Sequence, residues 1–193
     1  MAVPSLAQVR VALPVLVLAA ALSACSSGSG TAAPTASTTA SAPKGTAAQS
    51  VKAGLAKHVK GDLAGAQADY RQALKLDPNN VLALYNLGLV AQTQNDVDVA
   101  DERYRSALAV DPGYQPAVFN LAIVRKAAGR TADAERLYRR AITLKPDDAG
   151  AHLNLGLLLR ETGRQLPGDA EVATALTLNP QLVDPAKSVT PTK

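Results

Sequence analysis

The sequence predicts an all-α solenoid built from four copies of one helix-turn-helix unit. Three observations lead to this fold class. A proline recurs every 34 residues, small residues recur in register with it, and the chain is 47% hydrophobic but only 3% aromatic. A core of Ala, Leu and Val favours closely packed helices over a sandwich with large side chains. Four units exceed the roughly three that a solenoid needs to be stable.

The prolines set the boundaries of the repeats. They occur in Asp77-Pro78, Asp111-Pro112, Lys145-Pro146 and Asn179-Pro180. Because proline lacks an N–H and restricts the residue before it, the second helix of each unit must end there. With proline at repeat position 32, the repeats span 47–80, 81–114, 115–148 and 149–182.

Further columns fall into the same register. Position 8 holds Gly54, Gly88, Ala122 and Gly156, and position 20 holds Ala66, Ala100, Ala134 and Gly168. Position 24 holds Tyr70, Tyr104, Tyr138 and Val172. Small residues let two antiparallel helices approach closely, and the tyrosine fills the space beyond. Position 15 is Gly or Asn, which suits the left-handed residue that ends a helix. The sequence then predicts caps for three second helices at Asp62, Asp98 and Thr131.

This pattern resembles the tetratricopeptide repeat family, whose signature runs W-x2-L-G-x2-Y and continues with Ala, Phe or Tyr, Ala and Pro. The resemblance covers residues 47–182, although position 4 is never Trp and position 11 is never Tyr. It implies a right-handed solenoid. In repeat 4, Pro167-Gly168 predicts a shortened second helix, and residues 183–193 are expected to be disordered.

Residues 1–24 have the layout of a secretory signal peptide. Arg10 precedes the apolar run Val11–Ala24. As a helix this run rises only about 21 Å, whereas a bilayer's hydrocarbon core is about 30 Å thick. We therefore expect a removable export signal rather than a permanent membrane span.

Leu22-Ser23-Ala24-Cys25 resembles the bacterial lipobox, in which the cysteine receives diacylglycerol through its sulfur and becomes the N-terminus. Cys25 is the only cysteine, so it has no disulfide partner. The alternative is an ordinary signal peptide cut after Ala19-Ala20-Ala21. With Cys25 lipidated, residues 25–46 would form a disordered Ser/Thr/Ala/Pro tether with a reach of roughly 25 Å. These features predict a lipid-anchored protein on the extracytoplasmic side of a bacterial cell membrane.

By resemblance to the family, positions 2, 5, 6, 9 and 12 of the first helices line a concave groove. Position 6 holds Asn86, Asn120 and Asn154, whose amides either bind the backbone of an extended peptide or stay idle. Positions 5 and 9 are apolar in every repeat and include Tyr85, Leu89, Phe119 and Ile123. This stripe either packs against neighbouring helices or leaves an exposed apolar patch of the kind that marks interaction sites.

Position 12 includes Lys126 and Arg160, and Arg125 lies beside the first of them. These cations form either an ordinary solvated surface or a cationic border that selects a ligand carboxylate. The net charge is only +4, and charges of both signs alternate along the chain. This patterning indicates a solvated surface rather than a nucleic-acid interface.

No catalytic or cofactor-binding pattern is found. His58 and His152 lie in different repeats, and neither a phosphate-binding loop nor a metal-ligand cluster occurs in the sequence. We therefore predict an interaction protein without enzyme activity, metal or cofactor, which binds an extended peptide or loop of an envelope protein in its groove. The alternative is an assembly scaffold that stacks on itself or on a secretion or pilus machine. The sequence leaves the oligomeric state open.

Overall fold

The computed structural model describes residues 45–186, and within them the chain forms eight α-helices and no strand. The predicted signal peptide, Cys25 and nearly all of the tether lie outside the described residues, as do residues 187–193. Among the helices of the described part, none has the length and apolar character needed to cross a membrane.

The helices alternate between first and second members of four pairs. The first helices are α1 (Ala47–Val59), α3 (Val81–Thr93), α5 (Gln115–Ala127) and α7 (Ala149–Glu161). The second helices are α2 (Leu63–Leu76), α4 (Val97–Val110), α6 (Thr131–Leu144) and α8 (Gln165–Leu178). Each first helix begins at the first residue of a repeat, and the pairs stack in sequence order, so the all-α solenoid is confirmed.

Within a pair, a small residue and a tyrosine bring the two helices together. A Cβ placed on Gly88 of α3 would lie 2.5 Å from Cε1 of Tyr104 on α4. The Tyr104 ring is fully buried, and its hydroxyl donates to Oε1 of Gln92 at 2.7 Å. The ring therefore occupies the space that a side chain at position 88 would need, as the sequence predicted.

The turn inside each repeat uses one left-handed residue. Asn95 has φ 61°, and Gly61 at the same repeat position has φ 81°. Asn and Gly tolerate this conformation best, so each ends a first helix and reverses the chain. The residue that follows, at position 16, then caps the second helix where its side chain allows.

This geometry corrects two of the three predicted caps. Asp62 does cap α2, because its side chain accepts from the backbone N–H of Gly65 at 2.8 Å. The cap of α4 is Asp96, which accepts from Val99 N–H at 3.2 Å, whereas Asp98 lies inside the first turn. Thr131 is the first residue of α6, and Arg130 before it makes no side-chain capping bond.

The last repeat is more complete than the sequence predicts. Helix α8 is 14 residues long, like the other second helices, so the prediction of a shortened helix is wrong. Pro167 is its third residue, where a backbone N–H would have no acceptor within the helix. Beyond α8, Asp184 is 4% exposed and binds the Arg160 guanidinium at 2.7 and 3.1 Å. The predicted disordered tail, residues 183–193, lies mostly outside the described residues and stays a prediction; within 183–186 the chain contacts the last repeat through Asp184.

The core runs without interruption from one repeat to the next. One cluster of buried residues contains Leu84 of α3, Tyr104 of α4 and Leu121 of α5, and therefore joins repeats 2 and 3. A neighbouring cluster joins α5, α6 and α7 through Ala122 and Leu155. Because these clusters join α3 to α5 and α5 to α7, only part of the surface of the first helices is left for a ligand.

Candidate binding face on the first helices

We use "first-helix face" for repeat positions 2, 5, 6, 9 and 12 of α1, α3, α5 and α7. The stripe at positions 5 and 9 belongs partly to the core and is partly open. Tyr85, Leu89, Phe119 and Ile123 are all half-buried, and each packs against a buried core cluster. Val51 in the first repeat is buried. The stripe therefore stabilises the stack and keeps an apolar surface in the middle repeats.

Aromatic rings hold the middle of this stripe in place. The ring of Tyr85 lies 5.8 Å from that of Tyr104 and 5.3 Å from that of Tyr114, edge-on to the latter. Phe119 lies 6.0 Å from Tyr138. Tilted and edge-on contacts at such distances are favourable for aromatic pairs. The two aromatic residues of the face are therefore fixed in orientation before any ligand binds.

Leu82 extends the stripe, and the sequence analysis did not single it out. It is 48% exposed at position 2, and on helix α3 it precedes Tyr85 by three residues. Residues three apart are neighbours on a helix surface. The signal in the sequence that could have identified Leu82 was a large apolar residue at position 2, one of the positions that face the groove.

The three asparagines use their amides within their own helices. Asn86, Asn120 and Asn154 donate to the carbonyl oxygens of Leu82, Pro116 and Gly150 at 2.7, 3.0 and 2.8 Å. These bonds fix the direction of each amide. Within residues 45–186, no hydrogen bond reaches the Oδ1 atom of any of the three. Each oxygen is therefore left as an acceptor.

The asparagines differ in exposure and in partners. Asn86 is only 5% exposed, whereas Asn120 and Asn154 are half-buried. Asn120 also donates to the hydroxyl oxygen of Tyr85 at 3.0 Å, which links repeats 2 and 3 across the face. Burial raises the pKa of Tyr85, so this hydroxyl stays protonated. The accessible amides are consequently those of repeats 3 and 4.

The cations at position 12 are paired. Lys126 Nζ lies 2.7 Å from Glu161, and Arg160 binds both Asp169 and Asp184 at 2.7 Å. Arg125 is buried between Asp101 and Asp133 instead of bordering the face. These three residues therefore do not form a free cationic border.

His152 has a structural environment. It is buried, its Nδ1 lies 2.7 Å from Oε2 of Glu171, and its Nε2 lies 3.0 Å from the carbonyl oxygen of Pro146. These contacts join α7 to α8 and to the preceding turn. Across residues 45–186, no group of three or more His, Cys, Asp or Glu side chains is placed to hold a metal ion.

Family models identify the repeats. A model described as TPR repeat matches residues 54–95, and one described as tetratricopeptide repeat matches residues 89–149 and 119–173. Together these matches span more than half of the chain. The chain belongs to the tetratricopeptide repeat family. Proteins of this family are typically non-enzymatic, and this tetratricopeptide protein is a protein–protein interaction module.

Solved tetratricopeptide-like structures resemble the chain over most of its length. The crystal structure of MamA has a TM-score of 0.65 and 22% identity, and covers 69% of this chain and 78% of that one. A structure from a functional characterization of Pseudomonas aeruginosa PilF has a TM-score of 0.65 and 27% identity, and covers 70% of this chain. MamA residues 41-end from Desulfovibrio magneticus RS-1 gives 0.63 and 19%, and covers 72% of this chain and 78% of that one.

The extent of these similarities limits what they establish. The chain spans 62% of the PilF chain, less than two thirds of it. The two MamA structures are less than 25% identical to the chain and show the fold alone. No curated protein matches the sequence. The ligand of this tetratricopeptide protein must therefore be inferred from its own surface.

Proposed function

We propose that this tetratricopeptide protein is anchored by lipid on Cys25 to the extracytoplasmic side of a bacterial membrane, where it binds an extended segment of an envelope protein. The segment lies along the first-helix face. The observation that carries this proposal is the half-exposed apolar stripe beside asparagines whose amides are already oriented. The mechanism is affinity without chemistry.

The apolar stripe would supply most of the affinity. Tyr85, Leu89, Phe119 and Ile123 recur with the repeat, and Leu82 widens the patch. Burial of apolar surface contributes roughly 25 cal/mol per Å² removed from water. Since these rings and side chains are held by core contacts, little side-chain entropy is lost on binding.

The asparagines would fix the direction of the bound backbone. The Oδ1 atoms of Asn120 and Asn154 can each accept a hydrogen bond from a peptide N–H. Asn86, which is nearly buried, contributes less to this contact. Their own-helix bonds hold the amides in place, so the acceptors are organised before the ligand arrives.

The cations differ in what they can offer a ligand carboxylate. Lys126 and Glu161 form a partly exposed pair, and such pairs are worth only about 0–1 kcal/mol. Lys126 can therefore exchange Glu161 for a ligand at little cost. Arg160 holds the buried Asp184 and supports the last repeat instead.

The test is a crosslinking pull-down from intact envelopes, with captured proteins identified by mass spectrometry. The wild-type chain is compared with Asn86→Ala/Asn120→Ala/Asn154→Ala. The matched control is Thr143→Ala/Thr174→Ala/Thr177→Ala, because each of these threonines also donates to the carbonyl four residues earlier in its helix. They lie on the second helices α6 and α8.

A partner that is caught by the wild type and the threonine control, but lost from the asparagine variant, supports the proposal. Thermal melting of all three proteins must remain similar, so that the loss reflects binding. Equal capture by all three would contradict binding on the first-helix face. It would favour the scaffold alternative, for which the 82% exposed Leu166 on α8 offers a starting surface.

A further inference from the structure

A cleft of about 560 Å³ lies between α4, α5 and α6, away from the first-helix face. Its α5 residues, Leu121 and Arg125, each lie two positions from Ile123. Residues two apart project from opposite sides of a helix. The cleft and the apolar stripe are therefore separate surfaces of the same repeats.

Arginine dominates the lining of this cleft. The charged residues around it are Arg105, Arg125, Arg130, Asp133, Arg136 and Arg140. Among the residues that the structure describes, two carboxylates bind these side chains, those of Asp133 and Asp101. The cleft therefore carries a local excess of positive charge, although charges of both signs alternate along the sequence.

One carboxylate serves several of these cations. Asp133 accepts hydrogen bonds from Arg136, from Arg130 at 2.7 Å and from Arg125 at 3.3 Å. The bonds from Arg136 and Arg130 lower the pKa of Asp133. Arg105 reaches only Asp101, at 3.9 Å, within residues 45–186. Arg105 is therefore only loosely paired, and Arg130 and Arg136 share a single carboxylate, so the three guanidinium groups can accept a second source of negative charge.

The shape of the cleft adds an apolar component. Its remaining lining residues are Leu108, Ala109, Leu121 and Leu137. Around these, the side chains of Arg105 and Arg136 are 67% and 79% exposed. The site thus combines an apolar floor with an exposed guanidinium rim.

The arginines are concentrated at one junction of the solenoid. The same groove one repeat earlier has a volume of about 200 Å³ and is lined by Arg71, Lys75 and Arg103. Arg130, Arg136 and Arg140 occupy repeat positions 16, 22 and 26. Those positions in the preceding repeat are Asp96, Glu102 and Ser106. Arg105 has an equivalent in Arg71 of the earlier groove, so this junction is distinguished by the additional arginines that repeat 3 supplies.

We propose that this arginine-lined cleft binds an acidic segment of a partner protein. Carboxylates of the segment would pair with Arg105, Arg130 and Arg136, and an apolar side chain would rest on the leucine floor. Arginine suits this task because its planar fork binds a carboxylate through two parallel hydrogen bonds. A recess with an apolar floor fits a side chain better than a flat bilayer surface or a phosphodiester backbone.

The test measures fluorescence anisotropy of a short fluorescein-labelled peptide of glutamates and leucines, titrated with the full chain. A peptide with glutamine in place of glutamate is the ligand control. The cleft variant is Arg105→Gln/Arg136→Gln. Its matched control is Arg103→Gln/Arg139→Gln, which removes the same charge from α4 and α6 at side chains outside the cleft.

We expect the glutamate peptide to bind, the glutamine peptide to bind far more weakly, and the cleft variant to lose at least about tenfold in affinity. The control variant should stay within about threefold of wild type, since only long-range charge is lost. Equal weakening by both variants would reduce the effect to net charge and overturn the proposal. Equal binding of the two peptides would also overturn it.

Vesicles of phosphatidylglycerol provide the other decisive arm. If they bind the full chain with the same dependence on Arg105 and Arg136 while the glutamate peptide does not bind, the cleft recognises a membrane surface and the proposal is wrong. Neither the peptide nor the vesicle experiment involves the asparagines of the first-helix face. A negative result for the cleft therefore does not count against the proposed function, and a negative pull-down result does not count against the cleft.

Discussion

At the scale of single residues, the contact between Gly88 and Tyr104 decides how closely the two helices of repeat 2 approach. The ring fills the place of a Cβ, 2.5 Å from its ideal position, and the hydrogen bond to Gln92 and the contact with Tyr85 keep it there. Repeat 3 has Ala122 at the same position, buried in one cluster with Tyr138. The column therefore holds a methyl group beside the tyrosine in repeat 3 and a glycine in repeat 2.

Replacement of Gly88 by alanine should therefore destabilise the protein. Overpacking of a filled core typically costs about 1–3 kcal/mol, which exceeds the gain of up to about 1 kcal/mol in helix propensity. We expect urea denaturation to show a lower free energy of unfolding with an unchanged slope. Gly113→Ala is the control, because the nearest atom to its Cβ is Asp111 Oδ1 at 3.4 Å. A Gly88→Ala protein as stable as wild type would show that the ring can shift.

Residue types and their columns could be predicted from the sequence, but several side-chain contacts could not. The asparagines of position 6 were identified, yet their bonds to Leu82, Pro116 and Gly150 depend on rotamers that sequence does not reveal. Likewise, Arg160 was assigned to the ligand face on its position. Its two carboxylate partners lie 9 and 24 residues away in sequence.

At the scale of helices, the position where each second helix begins follows from the left-handed residue before it. Asn95 reverses the chain, so the next residue, Asp96, takes the capping position. The sequence analysis placed the cap of α4 at Asp98. Aspartate is common both at the N-cap and in the first turn of a helix, so residue type alone does not distinguish the two positions. Pro167 was similarly misjudged, since proline is tolerated in the first turn and disruptive only later.

The corrected cap predicts that two neighbouring aspartates stabilise α4 in different ways, with a different dependence on salt. Asp96→Ala removes the acceptor of the Val99 N–H and should lower the free energy of unfolding by about 1 kcal/mol. Asp98→Ala leaves that bond intact and loses only an exposed charge near the helix N-terminus, worth about 0.3–1 kcal/mol at low salt. Thermal or urea unfolding at high salt separates the two, because screening removes the second effect. A larger loss for Asp98→Ala would restore the cap predicted from sequence.

At the scale of the whole molecule, the solenoid places its two candidate surfaces on different sides of the same repeats. The apolar stripe could be predicted from sequence because it follows the 34-residue period. The arginine-lined cleft could not, because Arg105, Arg125 and Arg136 come from three helices and meet only when α4, α5 and α6 pack. Alternating charge along a chain can therefore give segregated charge on its surface.

Attachment through Cys25 would determine where both surfaces operate. A single acyl chain gives marginal membrane binding, whereas two chains hold a protein stably. Lipidation at Cys25 together with a tether of roughly 25 Å would keep the solenoid close to the membrane while leaving its faces accessible. Replacement of the one cysteine removes the sulfur that carries the diacylglycerol, and it alters no residue within 45–186.

We therefore expect Cys25→Ser to move the protein from the membrane fraction to the soluble fraction or to leave it with an uncleaved signal peptide. Mass spectrometry of the wild-type N-terminal peptide should give a chain that begins at Cys25 and carries acyl groups. The solenoid of the variant should melt like that of the wild type, which separates loss of attachment from loss of folding. A wild-type chain that begins at Leu22 without acyl groups would instead establish the ordinary signal peptide, and both surfaces would then act on a freely diffusing protein.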